Sequence, residues 1–281
     1  MTLATDWIPF GRGVRVVASH ECGLIAVEKP DGILSHPNPG EVAEKGTILI
    51  TGNYSLDEEA FHVRDGKGGI RRVYLLNRLD SPTSGTLLLS LDEGVADLVR
   101  KMFARSQVSK KYVALIRGRG LRTPRGTWQD QMAKSKGPGG GVRSETGAGS
   151  PAVTVYAWQR SAGGTLPLSL IQLEPRTGRT HQLRVQTAAH GHPILGDRTY
   201  GDFEFNKAVG TARGFKRLFL HAFSTELTLE WQGKPLTFGA VSPIPQEFHE
   251  AMGGQGDGNA AKVRKPTTPG TVISPRLRIR L

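Results

Sequence analysis

Apolar runs only four to eight residues long recur through this chain, closed by Gly, Pro, Asp or Asn, and that punctuation points to a sheet-based fold. Residues 14–17, 23–27, 73–76, 86–89, 110–116, 152–156, 166–173, 218–222 and 226–231 read as strands. Gln232-Gly233-Lys234 reads as a hairpin turn into Leu236-Thr237-Phe238. Shorter candidates stand at 47–51 and 60–63. They lie in a stretch from 37 to 70, rich in Gly, Glu, Asp and Lys, that suggests only a sheet edge or a surface excursion. Helical periodicity is confined to few places. Over 92–107, Val95, Leu98, Val99, Met102 and Phe103 form one apolar stripe expected in the core, with Asp92 as N-cap. Thr180 caps a second helix over 181–190, with Gly191 at C′ and Pro193 beyond, and a short last helix falls at 244–252. Many short strands with few helices give an α+β fold on a mixed or largely antiparallel sheet.

The stretch from Leu76 to Gly85 sits between two of the apolar runs and contains Pro82 and Gly85, which is loop chemistry. Arg78 and Asp80 therefore stand on a loop held by flanking strands, where working residues are often placed. On the residues alone, Asp80 serves equally well as a turn Asp bonding its own backbone, and Lys29-Pro30-Asp31-Gly32 as a plain turn. Arg117, Arg119, Arg122 and Arg125 fall within nine residues without an acid, which suits a phosphate-contacting loop or a solvated basic one. The net charge of +12 and pI near 10.1 suggest a polyanionic partner, but do not separate RNA, DNA and an anionic membrane surface. A lone cysteine, Cys22, excludes an intrachain disulfide and a Cys-rich zinc site. With no apolar run near 18 residues and no secretory segment, a soluble cytoplasmic protein is expected. The spacing of His181, His190 and His192 matches no zinc pattern, so no metal is expected.

Asn77-Arg78-Leu79-Asp80-Ser81-Pro82-Thr83-Ser84-Gly85 resembles the His-Arg-Leu-Asp-x-x-Thr-Ser-Gly signature of the RluA-type pseudouridine synthases. The block from Gly178 through Arg179, Thr180, His181, Gln182 and Arg184 to Gln186, followed by Gly191 to Asp197, resembles that family's later signature. Lys29-Pro30-Asp31-Gly32-Ile33 is similar to its opening Lys-Pro-x-Gly segment, and Lys111-Tyr112-Val113-Ala114 to the region of its tyrosine. The blocks come in the family's order; Asn77 and Gln186 depart from it, each standing where a His is usual or frequent.

The resemblance implies the pseudouridine synthase fold, with a catalytic cleft across the sheet between two halves, flanking helices and no S4 domain. It implies isomerisation of specific uridines in structured RNA, rRNA or tRNA, without a cofactor. Asp80 would be the nucleophile, Arg184 its ion-pair partner, and Tyr112 would stack on the uracil. Arg78 would fill the stack vacated by a flipped base, with Lys29, Arg179, His181, Gln182, Arg117 and Arg119 as further RNA contacts. A non-catalytic RNA-binding protein of the same fold is the alternative. A hydrolase would need a second carboxylate beside Asp80, for which Glu174 and Asp197 are the candidates. The expected organisation is a leader over 1–12, a catalytic domain over 13–252, and a basic tail over 253–281. In that tail six cations face Asp257 alone, which reads as a disordered extension seeking RNA. The Gly/Ser-rich stretch 134–151 is expected to be flexible, and the protein to be a monomer without an obligate protein partner.

Overall fold

The structure is a computed structural model that describes residues 3–37, 46–66, 68–136, 142–162 and 166–253. The basic tail beyond Gly253 lies outside the described residues. Among the described residues the chain divides into two compact units: one up to Ser109 with Ala222–Pro243, and Lys110–His221 with the residues from Ile244 to Gly253.

In the first unit β1 (Arg15–Ser19) pairs antiparallel with β2 (Leu24–Lys29), and β2 with β6 (Ser84–Ser90). A second run of antiparallel pairs joins β3 (Asn53–Ser55), β4 (Ala60–Arg64) and β5 (Ile70–Leu75), and β5 meets β6 only through Tyr74–Ser90 and Leu75–Leu89. Every residue of β6 is buried, and Leu87, Leu88 and Leu89 each stabilise the unit by about 1.5–3 kcal/mol through burial alone. On its other side β6 approaches β12 (Leu220–Trp231) so closely that a Cβ at Gly85 would lie 2.3 Å from the Ala222 carbonyl oxygen. With φ at 117° as well, only glycine fits there. The hairpin from β12 into β13 (Lys234–Val241) turns at Gln232 and Gly233, both at positive φ, as a tight two-residue hairpin turn requires.

Helix α1 (Glu93–Ala104) follows the predicted stripe, and Asp92 caps it by accepting from the Val95 N–H. Val95, Val99 and Met102 are buried, but Leu98 is 40% exposed and so departs from the expected core stripe. Arg100, off the stripe, donates to the carbonyls of Glu58, Glu59 and Leu75 and so ties the helix to the β3–β5 layer. Residues 47–51 do not form the expected strand; Ile48 and Ile50 make isolated bridges to Leu34 and Phe10. The first described residues pack on the unit they lead into. Ile8 is buried, the Gly11 N–H donates to Leu49, and the Arg71 guanidinium lies 3.9 Å from the Trp7 ring centroid.

The second unit is built on an antiparallel sheet whose strand order is not the chain order. β7 (Ser109–Arg117), whose first residue ends the other unit, pairs with β11 (Leu168–Pro175), β11 with β10 (Ser150–Ser161), and β10 with β8 (Arg125–Lys136). β9 (Val142–Thr146) pairs with β8. Most of the stretch expected to be flexible is thus strand, while 137–141 fall outside the described residues. Its glycines and serines hide a hairpin whose register is set by partner strands. Around this sheet stand α2 (Gln182–Ala189), α3 (Phe203–Arg213) and α4 (Gln246–Ala251). The chain returning from α2 passes beneath β7: Leu195 donates to Leu115, Phe219 to Leu195 and Leu115 to Phe219. At Gly196, with φ at 77°, a Cβ would lie 1.8 Å from the Arg217 carbonyl oxygen. All the strand pairings described are antiparallel, and the α+β expectation holds.

Candidate active site

The Asp80 loop is held at the residues on both sides of the carboxylate. Where β5 leaves β6, the Asn77 side chain takes over the ladder, its carbonyl oxygen accepting from the Leu88 N–H at 2.8 Å. Asn77 thus fills a backbone-bridging place that needs only an acceptor. One residue before Asp80, the Ser35 hydroxyl donates to the Leu79 carbonyl at 2.8 Å and accepts its N–H at 3.1 Å. One residue after it, the Ser81 carbonyl accepts from Gly32 N–H at 2.8 Å and from Lys29 Nζ at 3.0 Å. The Thr83 N–H closes the turn onto the Asp80 carbonyl at 2.9 Å. The turn expected from the sequence is therefore a loop fixed on both sides of Asp80.

Lys29, expected among the RNA contacts, lies in the interior. Its side chain is wholly buried, and Nζ donates to the carbonyls of Pro30, Ile33 and Ser81 at 2.8–3.0 Å. Three N–H donors meet three carbonyls, so the ammonium pins the 30–33 turn to the Asp80 loop. Arg78, by contrast, is exposed, and its Nη1 stands 3.3 Å from His36 Nε2.

In the second unit the later signature block folds as a turn and a short helix. The expected cap at Thr180 is replaced by His181, at φ 53° with no side-chain cap bond. The preceding turn is satisfied instead by Gln182, whose Oε1 accepts from Thr177 Oγ1 and the Arg179 N–H, while Nε2 donates to Val153 O and Thr154 Oγ1. Gln182, expected on RNA, is buried with all this bonding internal to the unit. Gln186, the second departure, is also fully buried: it accepts from Thr154 Oγ1 and donates to Asp130 Oδ2 and Ala152 O. A primary amide offers both donors and an acceptor on one side chain, which this network uses.

Arg184 is buried and makes a bidentate pair with buried Asp197: Nε to Oδ2 at 2.8 Å and Nη2 to Oδ1 at 2.9 Å. Asp197 Oδ1 also accepts the N–H groups of Thr199 and Tyr200. Burial opposes its charge, but the Arg184 guanidinium and the two N–H groups outweigh that and hold its carboxyl below the usual range. Asp197 is therefore the counter-ion of Arg184, a role the weighing of hydrolase carboxylates did not find. The Tyr200 hydroxyl stands 2.8 Å from His181 Nδ1 and accepts from the Ser144 N–H, and its ring lies 5.2 Å from the Arg184 guanidinium carbon. Tyr200 carried no sequence signal. Tyr112 is half-buried on β7 opposite Leu173. Arg179 and Arg119 are exposed, as is Arg117, which pairs with Asp202. The remaining histidines serve the fold: His190 Nε2 stands 3.2 Å from Asp130, and His192 Nδ1 3.4 Å from the Arg117 carbonyl oxygen.

The sequence pattern described as RNA pseudouridylate synthase matches residues 23–189. The tRNA pseudouridine synthase C of Salmonella typhi is 33% identical over 230 residues, covering 77% of this chain and 81% of that protein. The ribosomal large subunit pseudouridine synthase C of Pasteurella multocida is 30% identical over 246 residues, covering 85% of this chain and 67% of that protein. Among solved structures, human RNA pseudouridylate synthase domain containing 4 is similar in fold, with a TM-score of 0.58 at 23% identity over 84% of this chain and 91% of that one.

Proposed function

This chain belongs to the RNA pseudouridylate synthase family and forms pseudouridine in RNA, and we propose that it does so on tRNA or rRNA with Asp80 as nucleophile, after flipping the target uridine out of its stack. The reaction breaks the N1–C1′ bond and joins C1′ to C5. The C5 hydrogen goes to solvent as a proton while N1 takes one up, and nothing is oxidised, so the work falls on side chains. An aspartate carboxylate can attack or stabilise the sugar carbon. Extruding a stacked base costs a few kcal/mol, and an exposed arginine two residues from the carboxylate is placed to offset it by occupying the gap. Arg78 takes that role. Tyr112 stacks on the freed uracil, and Arg184, whose charge Asp197 balances, is the basic residue that the later signature block contributes.

The observation that supports Asp80 most is the double clamp on its neighbours, Ser35 on Leu79 and Lys29 with Gly32 on Ser81. A carboxylate that only closed a turn needs no such fixing; a nucleophile held within reach of one carbon does. The test is release of tritium from RNA carrying [5-³H]uridine. Asp80→Asn keeps the turn and the shape, since Asn serves turns nearly as well, and should abolish release while melting and RNA affinity stay near those of the parent. Substantial release by the Asn variant removes Asp80 as nucleophile.

A further inference from the structure

We propose that His36, backed by Tyr54 and Phe61, is a stacking platform for a nucleobase of the bound RNA beside Arg78, an inference that rests on the RNA-modifying function given above. The three rings form a column within the first unit. Phe61 on β4 is fully buried, Tyr54 on β3 packs on it with centroids 4.8 Å apart, and His36 stacks on Tyr54 at 5.2 Å with planes 15° apart. Tyr54 and His36 are half-buried, so the column runs from the core toward the surface. Its Tyr54 and Phe61 belong to the 37–70 stretch, which suggested only a sheet edge or a surface excursion.

The end of the column is fixed against the signature loop. Ser35, the residue before His36, bonds both backbone groups of Leu79, the residue after Arg78. His36 Nδ1 lies 2.7 Å from the Pro37 carbonyl oxygen. A carbonyl only accepts, so Nδ1 carries the proton; Nε2 is then bare and accepts from Arg78 Nη1 at 3.3 Å. The exposed guanidinium is thereby steadied by the edge of the ring. Burial and Glu59 push the Tyr54 phenol upward against the opposing pull of Arg78 and Arg100. An aromatic face with a cation at its side suits a base and its neighbouring phosphate. Such stacking tolerates any base, because each has a π-face. The platform would therefore hold a nucleotide other than the target without adding sequence preference.

The probes are a fluorescein-labelled oligouridine and the same oligomer with abasic sites in place of its bases, titrated against Asp80→Asn protein, which binds without turning over. His36→Ala in that background should weaken the base-bearing oligomer about tenfold, within the range that stacking on an aromatic gives, and leave the abasic one within about twofold. His36→Phe keeps the ring and loses both nitrogens, and should stay within about twofold of the parent on both probes. Equal losses on the two probes, or no loss on the base-bearing one, overturn the platform. A Phe variant as weak as Ala overturns it too, by making the contact to Arg78 the essential feature. Tritium release by the unmutated protein is measured in parallel. Its absence would count against the synthase reading, while the comparison of probes judges the platform by itself.

Discussion

Removing the Arg184 guanidinium should strand Asp197, and the size of the effect follows from the geometry. Asp197 is 1% exposed, and in Arg184→Met it keeps only the N–H groups of Thr199 and Tyr200 while losing two charge-assisted bonds of 2.8 and 2.9 Å. Breaking a buried pair from one side costs about 3–5 kcal/mol. That lowers the folding constant by roughly a hundredfold or more and the melting temperature by roughly 6–20 °C. The pH dependence carries the sign of the cause. In the parent the Asp197 pKa is depressed below its unfolded value of about 3.9, so its stabilisation is present above that value and lost as pH falls. Without the guanidinium, burial raises the folded pKa instead, and the variant loses stability as pH rises through it. The gap between the two proteins should be widest at pH 7 and narrow as pH falls toward 4. Urea unfolding followed by tryptophan fluorescence measures it, Trp128 and Trp158 both lying in this unit. Arg184→Met with Asp197→Leu removes both charges and should be more stable than the single variant. A loss below about 1 kcal/mol at pH 7, or a gap independent of pH, would refute the assignment of Asp197 as the essential counter-ion.

Two further outcomes concern the signature loop. Arg78→Ala should slow modification of a folded RNA far more than that of an unstructured oligonucleotide, measured by tritium release; equal losses would place the arginine in the chemistry beside Asp80 instead. Lys29→Met removes the ammonium donor from the Pro30, Ile33 and Ser81 carbonyls, Ser81 keeping a second donor in the Gly32 N–H, and should lower turnover roughly tenfold to a hundredfold by loosening the loop while RNA affinity changes little. A matching loss of affinity would restore Lys29 as an RNA contact.

What was legible in the sequence was what local chemistry decides. The loop at Asp80 showed because two apolar runs bracket Pro82 and Gly85, and α1 showed because its stripe and Asp92 agree. Helix α3 stayed hidden because Val209 alone among its residues is buried, leaving no stripe to read, although Asp202 caps it at Phe205. Thr180 looked like a cap because hydroxyl residues usually are, yet Gln182 satisfies the turn from inside the helix. Burial of Lys29 and Gln182 runs against the usual exposure of those residue types, so composition pointed both of them at solvent. Only the partners, distant in sequence, decide otherwise.

The charged and polar residues of the signatures consequently divide by what they face. Arg78, Arg117, Arg119 and Arg179 are exposed, whereas Lys29, Gln182 and Arg184 are buried. Only the first group can displace counterions from a phosphate backbone. The net charge of +12 therefore overstates what the motifs offer RNA, since two of their cations serve the interior. Burying a cation is costly unless its partners are fixed, and both are met by fixed partners: Lys29 by three carbonyls, Arg184 by a carboxylate held by two backbone N–H groups. Interactions of that kind set positions more than they add stability, because desolvation offsets most of their attraction. Position is also what the role proposed for Asp80 demands, since a catalytic group displaced by an ångström loses most of its rate. The departures at Asn77 and Gln186 fit the same account. Each side chain supplies hydrogen bonds that hold backbone or a buried network, and neither place calls for an imidazole's titration.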